Sequence, residues 1–206
     1  MRGAPSLALK RLACPTVVRR SRCGPQLRRL LDTLTTIPGM VVGHGTDILA
    51  WNPLAAALIT DFAKVPTEKR YFAHILFTDP AMKSLYADWE LTARTVVAHL
   101  RTRAAEYPDD PQLTLLVGEL SMRSPEFRRW WRARPVSART MGTKALNHPV
   151  VGPLALDWNL ISCTTDAGQK LVIWTAEPGT PSYEGLQILS SFTATASGCA
   201  TPHHHQ

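Results

Sequence analysis

A chain of 206 residues, 45% of them hydrophobic, is long enough to bury one real core with tails to spare. No apolar run in it approaches the roughly 20 residues that cross a bilayer, and Lys10 and Arg11 interrupt the first apolar stretch too early for a signal peptide, so a cytoplasmic location without membrane contact is expected. The net charge of +7 belongs to one end: residues 1–31 hold eight Lys or Arg and no acid, leaving 15 basic against 16 acidic residues elsewhere, which excludes bulk charge as a nucleic-acid signal for the folded body.

Residues 1–24 show no sustained periodicity, and Pro5, Pro15 and the arginine cluster argue for a solvated, disordered segment. The first element is "PQLRRLLDTL" at 25–34, a short amphipathic helix with Leu27, Leu30, Leu31 and Leu34 on one stripe, broken by Pro38-Gly39. "MVVGHGTDILAWN" then reads as a hairpin around a Gly-His-Gly-Thr-Asp turn. Asn52 and Pro53 carry a cap-then-proline signal that turns the second strand into a helix, with Trp51 packed at the corner.

Helices fill the middle of the chain. "EKRYFAHILFTD" carries Phe72, Ile75, Leu76 and Phe77, and Asp79-Pro80 starts the next turn. A long helix is expected over about 86–106, with Trp89, Ala93, Val96, Val97, Leu100 and Ala104 as its apolar stripe. Asp110-Pro111 and Ser124-Pro125 open two more, the second being "SPEFRRWWRAR". The last third alternates with period two: "RTMGTKAL", "PLALDWNLIS" and "LVIWTAEP" are strands, joined by His148–Gly152 and by an Asp166-Ala167-Gly168 turn. Thr180-Pro181 opens a final helix to about 192, followed by a tail over 193–206. The predicted fold is α+β and PAS-like. One five-stranded antiparallel sheet carries a block of helices, inserted between strands two and three, on one face. Strand one is expected beside the last strand.

Chemistry is thin. The four cysteines, Cys14, Cys23, Cys163 and Cys199, form no CxxC pair, and no His stands at zinc-finger spacing, so no metal or cofactor is expected. Phosphate-loop, G-x-S-x-G and H-E-x-x-H motifs are absent. His44, His74 and His99 have no sequence partners that suggest catalysis. The acidic residues Asp109, Asp110, Glu119 and Glu126 sit at helix starts or on exposed faces, where capping explains them. The expectation is a protein that is not an enzyme.

Seven stretches in register carry a family resemblance over about 25–192: "LRRLLDTL", "DILAWNPLAAAL", "LFTDP", the helix beginning "DWE", "YPDDPQL..LVGELS..SPEFRRWW", "GTKALNHPVVGPLALDW" and "LVIWTAEPGTPS". The chain resembles the MmyB-like ligand-binding domain, the sensor half of a family of bacterial helix-turn-helix transcription regulators. The resemblance implies a PAS-like fold and a small, mostly apolar, fatty-acid-like ligand held between sheet and helices. It also implies DNA as a partner of full-length members and leaves a homodimer open. Two departures stand out. Only 24 residues precede the match, too few for a helix-turn-helix, so specific operator binding is not expected of this chain. Arg134, Pro135 and Val136 stand where the family tends to place a His-acid-Val triplet.

The six tryptophans all fall within the resembling region, and apolar pockets are lined by such groups with a few polar anchors. The expected ligand-binding residues are Trp89, Val96 and Leu100 on one wall, Phe72 and Leu76 on a second, Leu116, Phe127 and Trp130 on a third, and Trp174 as the floor. Arg94 or Arg128 is expected to meet a carboxylate at the mouth. The competing reading is a non-catalytic interaction or structural protein, a truncated regulator that keeps the fold and lacks specific DNA binding.

Overall fold

The computed structural model describes residues 22–133, 141–162 and 168–198. Arg134, Pro135 and Val136, the Asp166-Ala167 part of the expected turn, and Cys14, Cys163 and Cys199 lie outside the described residues.

The order is α1 (Pro25–Thr33), β1 (Gly39–Val42), β2 (Ile48–Trp51), α2 (Pro53–Leu58), two short 3-10 turns, α3 (Phe72–Thr78), α4 (Pro80–Leu85), α5 (Trp89–Glu106), α6 (Pro111–Arg123), α7 (Pro125–Arg132), β3 (Met141–His148), β4 (Gly152–Ser162), β5 (Lys170–Thr175) and α8 (Pro181–Gly198). The strands form one antiparallel sheet in the order β2-β1-β5-β4-β3, so β1 does lie beside the last strand, and the helical block is inserted between β2 and β3. The fold is α+β, as the alternating runs and capped helices require, and the arrangement is consistent with a PAS-like layout.

The caps hold where the sequence placed them. Asn52, Asp79, Asp110 and Ser124 each accept a backbone N–H of the helix they precede, and each is followed by proline at the first helical position, where a missing N–H costs nothing. Asn52 does more than cap. Its Oδ1 accepts from Ala55 N at 2.9 Å and from Gly39 N at 3.0 Å, while its Nδ2 donates to the carbonyls of Leu34 and Ile37 at 2.6 and 2.7 Å. One buried amide thus ties the end of α1, the start of β1 and the start of α2. Beside it Trp51 packs against Phe62, with ring centroids 5.5 Å apart, and under the Arg70 guanidinium.

Three differences from the expected layout have clear physical causes. First, helices cover both faces of the sheet, not one. All four residues of β1 are buried, and successive strand side chains point to opposite faces, so each face needs a cover. Met40 and Val42 enter the main core. Val41 joins Leu31, Ala50 and Leu171 in a second cluster beneath α1. Second, the long helix begins at Trp89, because Asp88 caps it through Leu91 N. Tyr86, expected inside that helix, instead forms a β-bridge with Leu146, and Ala87 N bonds to Ala145 O at 3.0 Å. This stitches the α4–α5 junction to β3. Third, α8 runs to Gly198 and not to about 192, since "FTATAS" offers no breaker before that glycine.

The main core lies between the sheet and α2–α8, with Leu54, Leu58, Phe62, Leu76, Leu100, Leu120, Phe127, Leu146 and Leu156 all but fully buried. Among the described residues, no helix is long and apolar enough to cross a membrane.

Candidate ligand-binding site

The long helix α5 presents two different stripes to the interior. Trp89, Ala93, Val97, Leu100 and Ala104 form the apolar one, which packs into the core against α3, α6 and α7. At about 100° of turn per residue, Thr92, Thr95, Val96, His99, Thr102, Arg103 and Glu106 form a second, mostly polar stripe rotated by roughly a quarter turn or more. A cavity of about 160 Å³ runs beneath this second stripe. The sheet supplies the opposite wall, with Met40 and Val42 from β1, Lys144 from β3, Trp158 and Leu160 from β4, and Lys170, Val172 and Trp174 from β5. Tyr86 closes one end, and Phe72 stands beside Thr46, its N–H donating to Thr46 O at 2.8 Å, with His44 and Gly168 completing the lining.

The sheet register explains the second wall. Trp158 stands opposite Trp174, Leu160 opposite Val172 and Ser162 opposite Lys170. The even-numbered residues of both strands from Trp158 and Lys170 onward therefore share one face, except where β4 ends. The wall is apolar in its middle and polar at its ends.

One end of the cavity is closed. Tyr86 and Trp174 are 2% exposed and Thr92 is 4% exposed. Lys144 reaches this end. Its Nζ donates to the Thr92 hydroxyl at 3.0 Å and lies 5.1 Å from the Trp158 ring centroid and 5.7 Å from that of Tyr86. No carboxylate among the described residues comes within ion-pair distance of it. Burial lowers its pKa to about 8, against a weaker upward pull from Asp88. Burial likewise pushes the Tyr86 phenol well above its usual range, which keeps it neutral. Trp174 Nε1 is buried with no hydrogen-bond partner. A buried donor without an acceptor costs about 1–3 kcal/mol, so this position calls for an oxygen on whatever fills the cavity.

The other end is the mouth. Arg103 donates to Glu106 Oε2 at 2.7 Å, contacts His44 Nδ1 and lies 4.0 Å from the Tyr107 ring centroid. Gly168 lies so close to His44 that a Cβ there would meet its Nε2 at 1.8 Å, so no larger residue fits with the imidazole in place.

Of the eleven residues read from the sequence as ligand contacts, Phe72, Val96 and Trp174 line the cavity. The others lie elsewhere. Leu76, Leu100 and Leu116 are core residues. Trp89, Phe127 and Trp130 gather around Phe77 at centroid distances of 5.6, 5.1 and 6.2 Å, on the α7 side of α5. Arg94 is two residues from Thr92 and so faces the opposite way, pairing with Glu90 at 2.6 Å and lying over the Trp130 ring, 5.1 Å from its centroid. Arg128 is exposed on α7. The sequence did hold a signal for the lining of this cavity: threonines and His99 recurring at three- and four-residue spacing along α5, a polar stripe turned toward the interior. Lys144 belongs to a basic stretch that begins at Arg128 and that could anchor a carboxylate, and nothing local marked it as the member turned inward.

Among the described residues no group of three His, Cys, Asp or Glu could hold a metal ion. The sequence profile of the MmyB-like transcription regulator ligand binding domain matches residues 23–189, which is most of the chain. The chain belongs to this family. No curated protein matches it. The MmyB-like domain described here is thus a ligand-binding domain of transcription regulators, with an elongated cavity between its sheet and its longest inserted helix. The match begins at residue 23, where the fold also begins to be held: Gln169 accepts from Gly24 N and donates to Arg22 O.

Proposed function

We propose that this MmyB-like domain senses a small fatty-acid-like molecule, with its carboxylate at the closed end of the cavity and its apolar body along the sheet. The observation that carries this reading is Lys144, a cation inside an apolar cavity with no carboxylate beside it. A charge so placed is costly unless a counter-charge joins it. The carboxylate would take Lys144 Nζ, the Thr92 hydroxyl and the Trp174 N–H, and the methylenes would lie against Met40, Val96, Leu160 and Val172. A cavity of about 160 Å³ is close in size to an engineered apolar cavity that admits benzene, so its enclosed part takes on the order of six to ten non-hydrogen atoms, and a longer ligand would reach out through the open end. Burying about six methylenes contributes roughly 5 kcal/mol before the costs of association, and the ion pair adds to it, which supports micromolar to submillimolar affinity.

In a regulator that carries such a domain, occupancy would bias DNA binding in the cytoplasm by favouring one placement of α5 against the sheet. The test is calorimetric titration with monocarboxylic acids of increasing chain length, alongside intrinsic fluorescence, since Trp158 and Trp174 line the cavity. Saturable binding below millimolar, quenched or shifted tryptophan emission and loss of binding in Lys144→Met are expected. No binding by any acid below millimolar overturns the sensor reading in favour of a structural or interaction role.

A further inference from the structure

The cavity has a cation at each end, and its sheet wall is apolar between them. We propose that the ligand is bipolar, an apolar chain with an anionic group at each end, the second held by Arg103 and Lys170 at the mouth. This inference rests on the proposed function, which places the first group at Lys144.

Three observations carry it. The first is charge. Among the described residues the lining holds Lys144, Arg103 and Lys170 against a single carboxylate, Glu106, so a ligand with one negative charge leaves that set with excess positive charge. In a half-enclosed, poorly screened space that imbalance favours a second anion. The second is a matched pair of unsatisfied donors. Arg103 Nε, like Trp174 Nε1, is buried without a hydrogen-bond partner. Arg103 is also held in place by Glu106, His44 and the Tyr107 ring, so its guanidinium is fixed before a ligand arrives. The third is length. Lys170, Val172 and Trp174 alternate onto the same face of β5, which separates the two poles by about 13 Å along the strand, and α5 spans about 21 Å from Thr92 to Glu106. Between the poles the sheet presents Val172, Met40 and Leu160, and α5 presents Val96 together with Thr95, His99 and Thr102. A hydrocarbon terminus at either end would bury a cation against methylenes. An acid group at both ends satisfies the lining throughout.

The experiment compares α,ω-dicarboxylic acids, from hexanedioic to tetradecanedioic acid, with monocarboxylic acids of the same carbon number, by calorimetry on the full chain at physiological salt. One diacid length is expected to bind at least about tenfold more tightly than its monoacid, with a maximum within the series and not a steady rise with length. Lys170→Met and Arg103→Met should each bring the diacid down toward the monoacid. Lys170→Met keeps the test decisive if Arg103→Met fails to fold, because the change keeps the backbone pairing of Lys170 with Val42 and Ser162, and among the described residues its side chain makes no ion pair. Equal binding of diacid and monoacid at every length overturns the inference and leaves the single-headed acid reading standing. A diacid preference untouched by Lys170→Met and by a folded Arg103→Met overturns the assignment of the second pole. Failure of both series to bind overturns the proposed function together with this inference.

Discussion

Lys144 Nζ donates to the Thr92 hydroxyl at 3.0 Å, joining β3 to α5 across the closed end of the cavity. The bond sets an ammonium where burial disfavours charge, and it does so on the two elements whose separation defines the cavity. The domain therefore gives up stability at this point, and under the proposed function a ligand carboxylate would restore it.

The pH dependence follows from that cost. Folding lowers the Lys144 pKa to about 8 from an ordinary value of 10.5, so between these limits the unfolded chain binds more protons than the folded one. Stability then rises with pH across that window, and the cost is fully present below about pH 8. The raised pKa of Tyr86 works the other way above about pH 10, where its folded-state neutrality resists ionisation and stability is lost. Urea denaturation between pH 7.5 and 9.5 should show the rise, by an amount on the order of 1–3 kcal/mol, and Lys144→Met should abolish it. Carboxylate affinity should fall over the same range as the ammonium is lost.

Lys144→Met should leave the empty domain as stable as before or more so, since it replaces a buried cation with an apolar side chain of similar length. A loss of more than about 1 kcal/mol by thermal or urea unfolding would show that the Thr92 bond holds the fold and that the cost of the charge is small.

Filling the cavity should separate binding from stability. Val96 projects into it from α5, and Val96→Phe should raise the stability of the empty domain by about 1 kcal/mol or leave it unchanged, while abolishing acid binding. Retained binding with lowered stability would place the occupied volume elsewhere.

Trp89 tests the opposite side of the same helix. Its indole N–H donates to Leu76 O at 3.0 Å, and its ring meets Phe77 edge-on at 5.6 Å and Trp130 at 5.8 Å. Trp89→Ala should cost roughly 3–5 kcal/mol in urea denaturation, as large-to-small changes within a packed cluster do. A cost below about 1 kcal/mol would show that this cluster contributes little to holding α3, α5 and α7 together.

Asn52 should be among the least replaceable side chains. Asn52→Asp keeps the acceptor for Gly39 and Ala55 but turns a second oxygen toward the carbonyls of Leu34 and Ile37, and Asn52→Leu leaves all four backbone groups unpaired. Both should destabilise by about 3 kcal/mol or more, read by thermal unfolding.

Local signals settled much of this molecule in advance. Each cap-then-proline pair at Asn52, Asp79, Asp110 and Ser124 fixed a helix start, because the cap depends only on the residues that follow it within one turn. The period-two run Leu154, Leu156, Trp158, Leu160 fixed β4 and its buried face, because alternation is a property of one strand. Family membership was legible for the same reason, in short stretches whose order the chain preserves. The place of the cavity was not legible. Hydrophobicity pointed to the stripe of Trp89 and Leu100, but the most apolar face of a helix is the one that packs solidly, and it leaves no space. The cavity formed along the neighbouring stripe of Thr92, Thr95 and His99, which the sheet approaches without filling. Whether Arg94 or Lys144 reaches that space depends on a half-turn of α5 and on the register of β3 with β4. The register is set within one hairpin, but which face of α5 meets that hairpin is set by packing between segments some fifty residues apart, as the Thr92–Lys144 bond shows, and no local pattern encodes it.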